Sequence, residues 1–333
     1  MTRFYLDGQP FDAAHDETLL EALVRQGQDV QYSCKKGRCR SCLVQQIDGS
    51  VAPVSQRGLT VKQQEAGIIY ACQCFVSDQA AFKTLSTAEV CQTAVLVDKH
   101  RLSNAVMQFI IKPSEAMSFN AGQCISLRRH DGLSRSYGIA STCDSGAIAL
   151  HVRLKSRGQF SHWLFDEAKV GETLWLQGPW GDCCYLPQYC DDSLILVASG
   201  TGLGPALGLV QEALAQGHTQ PIYLYHGALN REDLYLHRAL LRLMLEYRNV
   251  HYQGCIQAQS ERDSIDGNRI VFADPFTLAS SRHTFDRKHR VFMFGEPNVV
   301  AKAQETAFLN GVPIERVHVL AFDYRDLRKH PRS

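Results

Sequence analysis

The spacing of apolar residues changes along this chain of 333 residues and divides it into three parts. In residues 1–83, short alternating runs flank one helical pattern, in which Leu19, Leu20 and Leu23 share a face. The predicted elements are a strand at Arg3–Leu6, a turn at Gly8-Gln-Pro10, a helix ending at Gly27, strands at Cys42–Ile47 and Ile68–Ala71, and a hairpin turn at Asp48-Gly49. This mixture predicts a small α+β domain.

The second part, residues 93–187, is rich in short strands separated by turn residues. Predicted strands are Thr93–Val97, Ala105–Ile111, Gln123–Arg128, Ser136–Ala140, Ala147–Leu154 and Thr173–Gln177, with one helix at Phe160–Phe165. Such a run of strands favours an antiparallel barrel or sandwich.

From residue 193, strand and helix patterns alternate. Predicted strands are Leu194–Ala198, Ile222–Tyr225, Val250–Cys255, Val291–Phe294 and Val317–Phe322, and predicted helices are 203–215, Asp233–Tyr247 and Pro297–Leu309. Alternation of this kind predicts a doubly wound α/β domain. The domain boundaries are therefore expected at 1–90, 91–190 and 191–333, with 84–92 as a short connection and a charged, frayed tail at Arg325–Ser333.

Composition narrows the class of protein. The chain is 45% hydrophobic with a formal net charge of +1, which argues against a protein built to bind nucleic acid or anionic membranes. No signal peptide is visible, and no apolar run is long enough to span a bilayer. Twelve cysteines without an export signal predict a reducing, cytoplasmic location.

Four cysteines carry the most specific signal. Cys34, Cys39 and Cys42 follow the pattern Cys-x4-Cys-x2-Cys, and Cys72 lies further along the chain, which is the spacing that holds a plant-type [2Fe–2S] cluster. A zinc site is a weaker alternative because Cys72 and Cys74 are separated by one residue, where two to four are usual. A disulfide framework is weaker still.

Three further segments have the composition of phosphate or cofactor sites. The turn Gly200-Thr-Gly-Leu-Gly-Pro205 lies between a predicted strand and helix, where backbone N–H groups can approach a phosphate. Arg135 and Tyr137 share one face of a strand, which suits a flavin ring and its pyrophosphate. Arg153, with Gly158 and Ser161 at a helix start, suggests a second phosphate site, whereas Gly178-Pro-Trp-Gly181 fits a structural turn equally well.

In this order, the motifs resemble those of the ferredoxin–NAD(P)H reductase superfamily, and in particular the NADH-dependent reductase components of multicomponent bacterial oxygenases. The resemblance covers nearly all of residues 1–324. It implies a β-grasp [2Fe–2S] ferredoxin domain, an antiparallel six-stranded FAD-binding barrel and a nicotinamide-binding α/β domain.

The resemblance also implies roles for individual residues. Tyr137 would stack on the flavin, and Phe322 would lie near the flavin face that the nicotinamide occupies. The implied cofactor-binding residues are Arg135, Ser136, Tyr137, Gly138, Ser141, Arg153, Gly158 and Ser161 for FAD, and Gly200, Thr201, Gly202, Gly204, Gly295 and Pro297 for NADH.

Three positions depart from the family's usual pattern. Gly138 stands where a Ser or Thr hydroxyl would bond flavin N5, and Phe294 stands where many members have Cys. Leu229 replaces an Arg that is common in that turn, so a 2′-phosphate clamp is poorly supplied and NADH is favoured over NADPH.

The implied function is electron transfer from NADH through FAD and the cluster to a terminal oxygenase, either an aromatic-ring dioxygenase or a di-iron monooxygenase, or to a separate ferredoxin. The cations Lys35, Lys36, Arg38 and Arg40 ring the cluster loop and suggest docking to an acidic partner. Two alternatives remain open: the same circuit serving another acceptor, such as a deoxysugar dehydratase or a ferric chelate, and a redox sensor that does not turn over.

Overall fold

The computed structural model describes residues 1–28, 30, 32, 34–37, 39–258, 269–283 and 288–322. The predicted tail at Arg325–Ser333 and the cation Arg38 lie outside the described residues. Three sheets follow one another along the chain, one in each predicted domain.

The described part of the first domain is a mixed five-stranded sheet with a helix packed on it. Its elements are β1 (Thr2–Leu6), β2 (Gln9–Ala13), α1 (Leu19–Arg25), β3 (Leu43–Asp48), α2 (Val61–Glu65), β4 (Ile68–Tyr70) and β5 (Ala80–Thr84). The strand order is β2-β1-β5-β3-β4, in which β1 and β5 are parallel. Thr18 and Glu21 form a capping box that starts α1, and the leucines of that helix complete the core. This is the β-grasp arrangement that was predicted.

Two predicted turns in this domain are wrong. The chain turns at Asp7-Gly8, so Pro10 lies within β2, at the edge of the sheet where a missing N–H is tolerated. Asp48-Gly49 does not close a hairpin, because β3 pairs with β4 across the connection 49–67. Strands β2 and β5 and helix α2 were not predicted.

A short helix, α3 (Thr87–Val90), lies in the predicted connection and leads into an antiparallel six-stranded sheet. Its strands are β6 (Gln92–Arg101), β7 (Val106–Pro113), β8 (Cys124–Arg128), β9 (Ser134–Gly138), β10 (Ile148–Arg153) and β11 (Thr173–Trp180), and α4 (Gln159–His162) continues as a π-helical turn to Glu167. The order is β10-β7-β6-β11-β8-β9, and a bridge between Ile139 and Leu150 joins the two edges into a barrel. The strand predicted at Ser136–Ala140 instead begins at Ser134.

Within the described residues, the third domain is a six-stranded parallel sheet flanked by helices. Its elements are β12 (Ser193–Ser199), α5 (Leu203–Ala215), β13 (Ile222–Ala228), α6 (His237–Glu246), β14 (Val250–Ile256), β15 (Ile270–Phe272), α7 (Pro275–Arg282), β16 (His289–Gly295), α8 (Pro297–Leu309) and β17 (Val317–Ala321). The order β15-β14-β13-β12-β16-β17 confirms the doubly wound prediction and places a topological switch between β12 and β16.

The helix predicted at Asp233–Tyr247 begins later, at His237. Leu236 has a φ of 61°, in the left-handed region, which interrupts the helical path. The preceding residues form a 3₁₀ turn at Arg231–Asp233, capped by the Asn230 side chain. Strand β15 and helix α7 were not predicted.

Candidate functional site

The four predicted cluster cysteines are all buried, and their thiols lie in two pairs. The thiols of Cys34 and Cys39 are hydrogen-bonded to each other, as are those of Cys42 and Cys72. Because the two thiols of each pair share a hydrogen bond and are buried together, ionisation of one raises the pKa of the other.

Backbone N–H groups of the cluster loop point at the sulfur atoms. The amide of Lys36 donates to Cys34 Sγ at 3.3 Å, and the amide of Gly37 donates to Cys72 Sγ at 3.2 Å. The amide of Cys39 also donates to Cys34 Sγ, at 3.3 Å. Donors aimed at sulfur stabilise negative charge on thiolate ligands, so the loop fits an anionic iron–sulfur centre.

The pairing of the thiols bears on the choice between a dinuclear cluster and zinc. A tetrahedral zinc site would bring four sulfurs around one point, whereas a [2Fe–2S] cluster takes two cysteines at each iron. Two thiol pairs fit the second arrangement.

Strand β9 carries the predicted flavin residues on one edge of the barrel. The Arg135 guanidinium donates to the carbonyl of Ser134 at 2.7 Å, and the Tyr137 ring lies 6.0 Å from that of Phe160. Burial raises the pKa of the Tyr137 hydroxyl. Tyr137 therefore remains a neutral aromatic surface, which suits stacking on a flavin ring.

The predicted FAD serines make local hydrogen bonds. Ser136 Oγ lies 3.4 Å from Ser126 Oγ. Ser141 Oγ donates to the Ala147 carbonyl at 3.2 Å, which steadies the turn after β9. Ser161 Oγ donates to the Gly158 carbonyl at 3.0 Å and shapes the start of α4.

Arg153 lies at the seam between the barrel and the α/β domain. Its guanidinium pairs with Asp233 at 3.0 Å. On the same strand, His151 Nδ1 is hydrogen-bonded to the Tyr235 hydroxyl at 3.2 Å. The structure therefore gives Arg153 an interdomain ion pair that the sequence did not indicate.

The predicted nicotinamide residues meet at the carboxyl ends of β12, β16 and β17, beside the topological switch. The Glu296 amide donates to Ser199 Oγ at 3.2 Å, and the Phe322 amide donates to the Gly295 carbonyl at 2.7 Å. Pro297 is the first residue of α8, whose N-terminus is capped by the Glu296 carboxylate. A crevice at this position is where open α/β sheets bind their ligands.

The residues of the Gly200–Pro205 turn have different surroundings. Gly200 has a φ of +54° and open space where a Cβ would lie, whereas Thr201 and Gly202 are buried. A Cβ at Gly204 would lie 2.9 Å from the His151 ring of the barrel. This glycine lets helix α5 approach the barrel closely, and the pattern of the turn alone could not show that.

His226 lies at the end of β13, close to this crevice, and was missed by sequence reasoning. It is fully buried, and its ring lies beside the backbone of Gly200, the first glycine of the turn. Its ring packs edge-on against Tyr235 at 5.6 Å, and burial lowers its pKa to about 3. His226 is therefore neutral at physiological pH.

The basic residues of the cluster loop do not all face the same way. Lys36 is exposed, and Lys35 Nζ lies 5.5 Å from the Tyr32 ring centre. Arg40 instead turns toward the barrel, with its guanidinium 5.3 Å from the Trp180 ring centre. The expectation that Arg40 belongs to an outward docking surface is therefore not supported by its position.

Comparison with known proteins identifies the three domains. The chain matches a 2Fe-2S iron-sulfur cluster binding domain over residues 4–77, an oxidoreductase FAD-binding domain over 93–185 and an oxidoreductase NAD-binding domain over 196–305. The ferredoxin–NAD(P)+ reductase component of the naphthalene 1,2-dioxygenase system of Pseudomonas putida is 30% identical over 248 residues, which are 72% of this chain and 74% of that protein. The chain belongs to the ferredoxin–NAD(P)+ reductase family. It is an oxidoreductase whose cofactors are a [2Fe–2S] cluster, FAD and a nicotinamide dinucleotide.

Further similarities agree with this family. The reductase subunit of an aromatic O-demethylase of Amycolatopsis is 30% identical over 241 residues, 68% of this reductase and 72% of that subunit. The crystal structure of the Amycolatopsis cytochrome P450 reductase GcoB has the same fold, with a TM-score of 0.66 over 97% of this chain and 99% of that chain at 24% identity. None of the helices in the described ranges has the length and apolar character needed to cross a membrane.

Proposed function

We propose that this reductase passes electrons from NADH, through FAD and its [2Fe–2S] cluster, to the terminal oxygenase component of a multicomponent system or to a separate ferredoxin. Relatives in such systems are named reductase or electron-transfer components. The observation that carries the proposal is the packing, in one chain, of a cluster loop against the first residue of the flavin strand β9 and of a nicotinamide crevice against its last residue. A nicotinamide supplies electrons in pairs, a flavin can release them singly, and a cluster carries one at a time.

The domain boundaries 1–90, 91–190 and 191–333 are part of the proposal, and each domain would hold one cofactor. In the first, Cys34, Cys39, Cys42 and Cys72 would ligate the cluster through the two thiol pairs.

In the flavin domain, Tyr137 would stack on the ring system. Arg135 and the serines at 136, 141 and 161 would serve the flavin and its phosphates, together with Gly158. Arg153 would support these phosphates from its ion pair with Asp233 at the seam. The half-buried Tyr137 ring, packed beside Phe160, and the hydrogen-bonded turn at Ser161 support these roles, because both belong to the barrel.

In the α/β domain, Gly200, Thr201, Gly202, Gly204, Gly295 and Pro297 would line the nicotinamide site, with Phe322 near the flavin face. Support comes from the hydrogen bond between the Phe322 amide and Gly295, which joins two of these segments. Because Gly204 lets helix α5 approach the barrel closely, this crevice would lie beside β9.

Preference for NADH over NADPH follows from the turn after β13. Leu229 is 58% exposed there, and Arg231 is the nearest cation along the chain, followed at once by the exposed Glu232. An apolar side chain beside a carboxylate offers poor binding to a 2′-phosphate, whereas a ribose hydroxyl needs no cation.

Docking of the acceptor is proposed at the exposed Lys36 side of the cluster loop, together with Lys35, so an acidic partner surface would fit. A cytoplasmic location is proposed from the cysteines. None of the twelve forms a disulfide in the described residues, as a reducing compartment would keep them.

A spectroscopic and kinetic experiment tests the function. Purified holoenzyme should show flavin and iron–sulfur absorbance and should reduce both ferricyanide and cytochrome c with NADH. Cys39→Ser should remove the cluster absorbance and most cytochrome c reduction while leaving flavin reduction by NADH. Cys190→Ser, at an exposed cysteine outside the cluster loop, is the matched control. Protein that binds both cofactors but is not reduced by NADH would refute the proposal.

A further inference from the structure

The cluster loop touches the flavin domain through two consecutive residues that lie between cluster cysteines. Ser41 Oγ lies 3.3 Å from Ser134 Oγ, at the first residue of strand β9, and both serines are buried. The neighbouring Arg40 places its guanidinium over the Trp180 ring at the end of β11. The segment that carries Cys39 and Cys42 therefore lies directly against the strand that carries the flavin motif.

Arg40 holds this position in an unfavourable backbone conformation. Its φ is 56°, in the left-handed region, which costs a residue other than glycine about 1 kcal/mol. Its guanidinium donates to the Gly58 carbonyl at 2.5 Å and packs on Trp180. A glycine would remove the strain, so the side chain is retained for its contacts rather than for the loop conformation.

One further polar contact joins the two domains nearby. Arg128 of the barrel donates to Thr87 Oγ1 at 3.1 Å. It also reaches the rim of a cavity of about 470 Å³ that is otherwise lined by residues of the first domain and its connection, among them Arg40 and Ser41. Interdomain interfaces allow relative motion of the domains unless individual contacts hold them.

We propose, on the basis of the function above, that Arg40 and Ser41 are positioning residues that hold the cluster loop against the flavin strand for internal electron transfer. The exposed Lys36 side of the loop is left for the external acceptor. With both cofactors bound, the reduced flavin would give up its two electrons one after the other, each converting a ferric ion of the cluster to ferrous ion before the acceptor removes it, and no heavy-atom bond would form or break. NADH supplies the electrons, and the proton of its hydride is released to solvent.

The test compares Arg40→Gly, Trp180→Leu and the double variant in the holoenzyme. Arg40→Gly removes the Trp180 contact, the Gly58 hydrogen bond and the strain together, so its melting temperature is measured beside the other readouts to separate lost stability from the lost interdomain contact. Trp180→Leu removes the same contact and leaves the charge beside the cluster unchanged. Asp16→Gly is the matched control, because Asp16 also has a positive φ, of 60°, but is exposed and distant in sequence from the cluster loop.

Two measurements are made on each variant. Hydrogen exchange of peptides covering 39–44 and 133–139 should accelerate about fivefold in both single variants, the population change that corresponds to loss of about 1 kcal/mol of cation–π contact. After rapid mixing with NADH, flavin reduction should be unchanged, and the following reduction of the cluster should slow by about twofold or more. The double variant should be no worse than either single variant, since both remove one contact.

The outcomes separate this proposal from its alternatives. If Arg40 acts only through its charge on the cluster potential, Trp180→Leu will leave the cluster reduction rate and the hydrogen exchange unchanged, and the proposal is overturned. Unchanged exchange and unchanged cluster reduction in Arg40→Gly would overturn it as well. Failure of NADH to reduce the flavin in the parent protein would instead refute the proposed function, while hydrogen exchange would still decide whether the seam depends on these contacts.

Discussion

Replacing Gly138 by serine should harm this reductase, although the family's usual residue there is Ser or Thr. Gly138 is buried, and a Cβ at this position would lie 2.9 Å from Leu320 Cδ2 and 2.9 Å from Pro205 Cγ. The contacts join the flavin strand β9 to both α5 and β17. Pro205 has a rigid ring, so only Leu320 can give way.

The expected magnitude follows from overpacking. Adding an atom to a closely packed site costs about 1–3 kcal/mol. This strain lies between the flavin strand and the nicotinamide crevice. It can therefore lower the free energy of unfolding of the whole protein, or it can be relieved by separation of the two domains. If all of it separates the domains, binding of NADH weakens by about fivefold to 150-fold.

The assay measures urea unfolding together with kcat and KM for NADH in Gly138→Ala and Gly138→Ser. Both variants should be impaired to a similar degree, because the clash comes from the Cβ and not from the hydroxyl. Adding Leu320→Ala should restore part of the loss, giving a coupling energy between the two positions. A Gly138→Ser variant that is as stable as the parent and reduces its flavin faster would show that packing does not select glycine here.

Three further predictions concern the cofactor, pH and the partner. Leu229→Arg should raise kcat/KM for NADPH and change kcat/KM for NADH little, because it supplies a cation for the 2′-phosphate. Steady-state kinetics with both cofactors test this, and an unchanged ratio of the two kcat/KM values contradicts it. The free energy of unfolding should be highest above pH 6.5 and should fall as the pH drops toward 4. The pKa values of the buried His151 and His226 are lowered to about 4 and about 3, so in this range the unfolded chain takes up protons that the folded chain does not accept. Unfolding in urea at pH 7.5 and pH 5 measures this, and His226→Leu should weaken the dependence. Reduction of the natural acceptor should slow as the salt concentration rises, and it should also slow in Lys36→Glu, whereas reduction of ferricyanide at the flavin should change in neither case. If acceptor reduction responds neither to salt nor to Lys36→Glu, electrostatic docking at this face is excluded.

Much of the fold was predictable because its signals are local. The period of apolar residues over β12 and α5 and the glycine turn between them specify a strand, a tight turn and a helix without any distant contact. The elements that were missed depend on distant partners. Strand β5, with the sequence Ala-Ala-Phe-Lys-Thr, has little pattern of its own and forms because β1 and β3 lie on either side of it.

The sequence by itself singled out four cysteines as the proposed cluster ligands, because the spacing of Cys34, Cys39 and Cys42 brings three of them into one short loop. Only the tertiary structure decided how the thiols pair and that Arg40 turns inward to Trp180. It also decided that Gly138 faces Pro205 and Leu320. Spacing along a chain limits what a short loop can reach, but the direction in which a side chain leaves the loop depends on surfaces contributed by residues far away in sequence.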